Sequence, residues 1–144
     1  MARDRGGPDI DYQVLIYPGV NSASLDTPSY DFFGRGYMLD KARVERFINL
    51  YLPDKSDRSE PYASPLLARS HAGLPPALVI TAGFDVLRDE GEAYVRKLKE
   101  DGVEARYIRY DGVVHGFVSA DKLLPQARDA TDKIGDALRQ EFSE

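Results

Sequence analysis

Asp85 and His115 are the two residues whose types and placement could support catalysis. Asp85 lies just after the apolar run ALVITA, and His115 lies just after a strand-like segment that ends at Tyr110. A carboxylate bonded to one imidazole nitrogen fixes the tautomer and supports the imidazolium that forms when the other nitrogen takes a proton. Together the two side chains could therefore form the acid–base unit of a hydrolytic site.

Both residues also have ordinary structural explanations. Asp85 precedes a helix-like segment, so its carboxylate could interact with the N-terminus of that helix or with Arg88. His115 could be an ordinary loop histidine. Gly112 and Gly116 lie on either side of it and would allow the loop to bend tightly towards a substrate. The spacing alone leaves these alternatives open.

The elements that would have to position these residues alternate between strand and helix patterns. Short apolar runs predict strands, and apolar residues at helical spacing predict helices. The predicted strands cover 14–17, 77–82 and 104–110, the helices cover 40–52, 89–101 and 126–142, and long loops cover 21–36 and 55–76. This alternation predicts an α/β fold, with about three parallel strands and flanking helices.

Ligands bind at the carboxyl ends of the strands in such a sheet. Neighbouring strands are about 4.8 Å apart, so Asp85 and His115 would meet if they follow neighbouring strands. The length of 144 residues predicts a single domain over 1–144.

Composition excludes several classes of function. The net charge is −5, with acidic and basic residues mixed along the chain, so no nucleic-acid partner is expected. No apolar run is long enough for a membrane span, and MARDRGGPDI carries no secretory signal, which favours a cytoplasmic location. Cysteine is absent, and the two histidines are far apart, so neither a metal site nor a cofactor is expected.

Several motifs occur in the order found in one known family. LIYPGV is followed by SPLLARSHAGLPPALVITAGFDVLRDEGEAYVRKLKEDGVEARYIRYDGVVHGF. From about 2 to 117 the chain resembles the C-terminal half of the hormone-sensitive-lipase branch of the α/β-hydrolase esterases. In that family the aspartate of DPLRDEG and the histidine of HGF complete a Ser-Asp-His triad, which implies these roles for Asp85 and His115. Val86 stands where the family commonly has proline.

The resemblance implies a partial α/β-hydrolase fold that lacks the N-terminal half of the sheet. Neither the G-x-S-x-G nucleophile elbow nor the H-G-G-G oxyanion loop of the family occurs in the sequence. The candidate replacement serines all lie in predicted loops without flanking glycines, and turn or cap roles explain them better; they are Ser22, Ser24, Ser29, Ser64 and Ser70. We therefore expect a carboxylic ester hydrolase segment that carries the acid and base but is inactive alone.

The resemblance also implies that segment 20–55 forms part of a substrate pocket or serves as a connecting segment. The expected apolar lining residues are Phe32, Phe33, Tyr37, Met38, Val86 and Leu87. Such side chains suit an ester with a short or medium acyl chain. Core packing is the alternative explanation, and it suits Phe47 at least as well. His71 is expected to be solvated, and Glu90 is expected to support the start of its helix.

Two kinds of partner follow from these expectations. A complementary N-terminal fragment would restore the catalytic site of the esterase. Alternatively, the chain is a non-catalytic interaction module or a gene remnant. In that case the unpaired strand at 14–17 would invite self-association, which predicts a homo-oligomer.

Overall fold

A three-stranded parallel sheet forms the centre of the protein in the computed structural model, which describes residues 1–143. The strands are β1 (Gln13–Ile16), β2 (Ala77–Phe84) and β3 (Ala105–Val114), in the spatial order β1-β2-β3. Gln13 pairs with Ala77, which in turn pairs with Ala105. The prediction of a three-stranded parallel sheet is confirmed, so β2 and β3 end side by side.

Five α-helices and three 3-10 helices accompany the sheet within residues 1–143. The α-helices are α1 (Ala2–Arg5), α2 (Pro28–Phe33), α3 (Lys41–Tyr51), α4 (Arg88–Glu100) and α5 (Pro125–Glu141), and the 3-10 helices cover Lys55–Ser59, Pro65–Leu67 and Phe117–Ala120. The three predicted helices are present, and their ends differ from the predictions by one residue. No helix in this described part of the chain combines the length and apolar character that crossing a membrane requires.

Alternate residues of β2 build two apolar cores, one on each face of the sheet. Leu78 and Ile80 pack on the side of α5, whereas Val79 packs on the side of α4 with Leu98. Successive side chains of a strand point to opposite faces, so a strand covered on both faces is apolar throughout. This explains why ALVITA lacks an alternation of polar and apolar residues, as expected for the central strand of the sheet.

The predicted loop over 21–36 contains a helix that the sequence analysis missed. Pro28 suggested a loop, yet it occupies the first turn of α2, where its missing N–H costs nothing. Contacts distant in sequence hold α2 in place, because the Ser29 amide donates to the Asp89 carboxylate at 2.8 Å and the Ser29 hydroxyl donates to the Val86 carbonyl at 2.6 Å. A short helix held by such contacts leaves little local signal.

β3 continues four residues beyond its predicted end at Tyr110. Asp111 and Gly112 suggested a turn, but they lie within the strand, where the pairing with β2 is irregular between Ala82 and Phe84. Gly112 has a φ of 80°, which a β-bulge accepts from glycine without strain. His115 therefore follows the strand directly.

Candidate active site

Asp85 and His115 lie in direct contact at the carboxyl ends of β2 and β3. The His115 Nδ1 atom is 2.7 Å from the Asp85 Oδ2 atom. The Asp85 side chain is fully buried, whereas 25% of the His115 side chain is exposed. The contact expected from neighbouring parallel strands is therefore present, and the imidazole is the accessible member of the pair.

The close approach of β2 and β3 at this edge depends on Gly83. A Cβ atom at position 83 would lie 3.0 Å from the Asp111 Cα atom, closer than ordinary packing permits. Gly83 therefore allows the two backbones to meet where the register shifts. This local geometry brings the residue after β2 to the residue after β3.

Each oxygen of the Asp85 carboxylate has its own partner. Oδ1 accepts a hydrogen bond from the Leu87 amide at 3.0 Å, while Oδ2 faces His115. The expected structural role near the start of α4 thus coexists with the histidine contact. Arg88 does not pair with Asp85, because its guanidinium donates to the Asp89 carboxylate at 2.8 Å and to the Gly83 carbonyl at 3.2 Å.

The contact with Asp85 determines which nitrogen of the His115 imidazole carries the proton. An ionised carboxylate only accepts hydrogen bonds, so Nδ1 of His115 must carry the proton that bonds Asp85. The neutral ring then has a lone pair on Nε2, and no group within residues 1–143 hydrogen-bonds to that atom. This arrangement can accept a proton at Nε2 while Asp85 stabilises the resulting charge.

A cavity of about 220 Å³ lies beside His115. Its apolar lining comes from α2, α3 and the turn before α4, and its polar lining comes from the loop after β1 and from Glu90. The lining residues are Gly19, Asn21, Ser22, Tyr30, Leu39, Val44, Phe47, Ile48, Leu87, Glu90 and His115. An apolar cavity with a few polar groups beside a titratable side chain is typical of a small-molecule site.

The side chains predicted to bind substrate are dispersed in the structure. Leu87 lines the cavity. Val86 is completely buried in a core that includes Tyr30 and Val44. Phe33 and Tyr37 pack with Phe84 in a separate aromatic cluster, whereas Phe32 and Met38 are 73% and 62% exposed.

Glu90 is a buried carboxyl group beside the cavity, and only 1% of the residue is exposed. Its Oε1 atom accepts a hydrogen bond from the Val20 amide at 2.9 Å. Burial raises the pKa of Glu90 to about 8, with the charge of Asp85 contributing in the same direction. Its Oε2 atom and the Tyr30 hydroxyl have no hydrogen-bond partner within residues 1–143. The sequence predicted a helix-start role for Glu90 because a surface acid and a buried acid look alike in a sequence.

The expectation that His71 is solvated is wrong, because only 1% of the residue is exposed. Its Nδ1 atom is 3.0 Å from the Asp101 carboxylate, and its Nε2 atom is 2.8 Å from the Pro65 carbonyl oxygen. Both ring nitrogens are therefore engaged. This second histidine–aspartate pair fastens the long segment before β2 to the end of α4.

Two serines weighed as nucleophiles are buried and have structural partners. The Ser29 hydroxyl donates to the Val86 carbonyl, and the Ser64 hydroxyl donates to the Arg58 carbonyl at 2.5 Å while accepting from the Ser22 amide. In the part of the chain that the structure describes, no group of three or more His, Asp or Glu side chains is arranged to hold a metal ion.

A family model described as the α/β hydrolase fold matches residues 1–119. The chain belongs to the α/β-hydrolase family. This assignment confirms the predicted hormone-sensitive-lipase-like branch and the partial fold. This chain is 40% identical to the carboxylic ester hydrolase LipN of Mycobacterium tuberculosis, and the match covers 99% of this chain.

Solved esterase structures share this α/β-hydrolase architecture. A thermostable esterase from Pseudomonas putida is 40% identical, with a TM-score of 0.93 over 99% of this chain. A hyperthermophilic esterase from Pyrobaculum calidifontis is 42% identical, with a TM-score of 0.91 over 96% of this chain. The α/β-hydrolase chain spans less than half of these relatives, covering 38% of LipN and 46% of each esterase.

Proposed function

We propose that this chain supplies the acid and the base of a Ser-Asp-His triad in a carboxylic ester hydrolase. His115 is the general base, and Asp85 orients its ring. The observation that carries the proposal is the 2.7 Å contact between a buried carboxylate and an accessible imidazole whose Nε2 has no hydrogen-bond partner within residues 1–143. The similarity to named esterases supports the same chemistry.

The proposed reaction requires a serine from a further polypeptide segment. Nε2 of His115 takes the proton from the serine hydroxyl as its oxygen attacks the ester carbonyl. His115 then gives that proton to the departing alcohol oxygen, which leaves an acyl-serine. A water molecule repeats the sequence, releasing the carboxylic acid and restoring the serine.

The cavity beside His115 supports an ester with a short or medium acyl chain as the substrate. Its lining from Tyr30, Val44 and Leu87 is apolar, and its volume is about 220 Å³. Apolar walls favour an alkyl group, and His115 is among the residues that line the cavity. Leu87 is the predicted pocket residue that we retain in this role.

Residues 1–144 are expected to hydrolyse esters very poorly by themselves. The sequence contains no G-x-S-x-G elbow and no H-G-G-G loop. In a well-studied serine protease, removing the triad serine lowers turnover by about a million-fold. Each missing oxyanion donor costs roughly a further hundred- to thousand-fold.

Complementation tests the proposed triad directly. We would join this chain to the part of the Pseudomonas putida esterase that it does not match, and assay p-nitrophenyl butyrate. Activity should appear in the joined protein and disappear when Asp85→Asn is introduced. A folded chimera whose activity is unaffected by Asp85→Asn and by His115→Gln would exclude the proposed roles.

Self-association is a second proposal, supported by the edge position of β1. Within residues 1–143 this strand pairs with β2 alone, and all four of its residues are only half-buried. Its other edge presents backbone groups that another strand can bind. Such a homo-oligomer would be consistent with a non-catalytic module. A complementary fragment would bind the same edge of β1 and so prevent self-association. Sedimentation as a single monomeric species at micromolar concentration would contradict the proposed self-association.

A further inference from the structure

Tyr17 has an unusual backbone conformation at the end of β1. Its φ is 37°, and it is the one residue other than glycine with a positive φ in the part of the chain that the structure describes. Side chains disfavour this region, and a following proline, here Pro18, restricts the backbone further. Conformations of this kind persist where surrounding contacts enforce them, and they concentrate at functional sites.

The contacts that surround Tyr17 converge on His115. The Tyr17 amide donates to the Ile80 carbonyl at 2.6 Å, which ties the residue to the central strand. Its ring then lies against the imidazole, with ring centroids 4.4 Å apart and planes tilted by 53°. The same ring meets Phe117 edge-on at 6.1 Å.

The environment of the Tyr17 hydroxyl involves the segment that follows His115. Burial raises the pKa of the Tyr17 hydroxyl, and its interaction with the Ser119 side chain acts in the opposite direction. Ser119 belongs to the 3-10 helix Phe117–Ala120. The ring of Tyr17 therefore contacts both the imidazole and the ring two positions after it.

The bond to Asp85 cannot orient the imidazole by itself. A single hydrogen bond at Nδ1 fixes one point of the ring, while torsions about the Cα–Cβ and Cβ–Cγ bonds still allow the ring plane to tilt. His115 is also 25% exposed, so solvent restricts it little on one side. A rigid aromatic face that meets the ring at a second place removes this freedom, because packed aromatic rings prefer particular relative angles.

We infer that Tyr17 is a positioning residue, held in a strained backbone conformation so that its ring fixes the His115 imidazole against Asp85. The role of this ring in ester hydrolysis rests on the function proposed above. Its effect on the imidazole does not, since the contacts lie wholly within this chain. The inference is therefore testable in the chain without its missing nucleophile.

Nitrogen NMR of the two histidines provides the test. At a pH where His115 is neutral, the wild-type ring should be mainly the Nδ1–H tautomer. In Tyr17→Leu we expect the ratio of Nδ1–H to Nε2–H to fall about two- to tenfold, the range that an aromatic contact can contribute. Tyr17→Phe keeps the ring and should keep the ratio.

His71 serves as the internal control in the same spectra. It lies in a separate pair with Asp101, so its signals should be unchanged in every folded variant. Tyr17→Gly removes the ring and accepts a positive φ without strain. If Tyr17→Leu fails to fold, the His115 tautomer ratio is measured in Tyr17→Gly instead. An unchanged His115 ratio in Tyr17→Gly, with His71 signals intact, would overturn the inference.

Activity of the complemented esterase separates this inference from the proposed function. Tyr17→Leu should lower kcat with little change in KM, because the ring orients the base and does not line the cavity. If the complemented protein has no activity but the NMR ratios change as expected, the positioning role stands and the proposed function fails. If activity is present but the ratios do not change, the positioning role fails alone.

Discussion

The two histidine–aspartate pairs of this molecule have opposite patterns of burial. In the pair at the sheet edge the Asp85 side chain is fully buried and His115 is 25% exposed. In the other pair His71 is 1% exposed, whereas the Asp101 side chain is 29% exposed. The same two residue types therefore present either the base or the acid to solvent, and only the first arrangement suits proton transfer to a substrate.

The use of the second imidazole nitrogen separates the pairs further. Nε2 of His71 is occupied by the Pro65 carbonyl oxygen at 2.8 Å. A carbonyl oxygen only accepts hydrogen bonds, so Nε2 of His71 must donate to make the Pro65 contact. Both nitrogens of this ring are engaged, and His71 does not line the cavity beside His115. A free nitrogen beside a cavity, rather than the presence of an aspartate, is the mark of the candidate base.

The largest expected difference between the pairs is in catalysis. In the complemented esterase, Asp85→Asn should lower kcat by about ten-thousand-fold, as in a serine protease whose triad aspartate is replaced. Asp101→Asn is the matched control and should leave kcat unchanged, because that pair lies away from the cavity. Equal losses from the two substitutions, measured with p-nitrophenyl butyrate, would remove the distinction between the pairs.

Glu90 gives the His115 region a stability that falls with rising pH, whereas in the His71 region the bonds to His71 lower the pKa of Asp101. The pKa of Glu90 is raised from 4.5 to about 8 by burial, so the folded protein binds more protons than the unfolded chain between these values. The free energy of unfolding should therefore fall as pH rises from about 4.5 to about 8, by on the order of a few kcal/mol.

Urea denaturation at several pH values measures this effect. Glu90→Gln should remove most of the slope, because the amide stays neutral throughout. Glu92→Gln is the control, since its carboxylate is exposed on the same helix and pairs with Arg96. A wild-type protein with the same slope as Glu90→Gln would contradict the assigned burial effect.

The smallest expected effect concerns stability within each pair. His71→Ala should cost about 2 kcal/mol, because it empties a buried site and leaves the Pro65 carbonyl without its donor. Asp101→Ala should cost less, since water can reach the vacated position. The order should reverse at the sheet edge, where the buried member is Asp85 and the exposed member is His115. If the urea midpoints show the larger loss for the acid in both pairs, or for the histidine in both pairs, burial does not determine which substitution costs more stability.

Local patterns in the sequence predicted the strands and long helices well. ALVITA predicted the central strand because a strand covered on both faces must be apolar throughout. The helix α3 was predicted within one residue of each end, and its start is marked by Asp40, whose side chain accepts from the Arg43 amide. In these elements the local signal and the tertiary environment favour the same conformation.

The errors occur where distant contacts override a local signal. Asp111-Gly112 is typical of a turn, yet pairing with β2 keeps it inside β3. Pro28 suggested a loop, yet contacts to the α4 region hold it in a helix. The segment around His71 looked like an exposed loop because Asp101, which pairs with it, lies thirty positions away.

The order of strands and helices, the family motifs and the two residues that meet at the sheet edge can all be read from the amino-acid sequence. The order of elements follows from apolar periodicity, the common edge follows from the placement of ligand sites at the carboxyl ends of parallel strands, and the pairing of Asp85 with His115 follows from the resemblance to a known family. Only the folded arrangement shows which acid is buried, which imidazole nitrogen is free and how Tyr17 meets His115. Burial and orientation depend on neighbours far away along the chain, and no local pattern of residues records them.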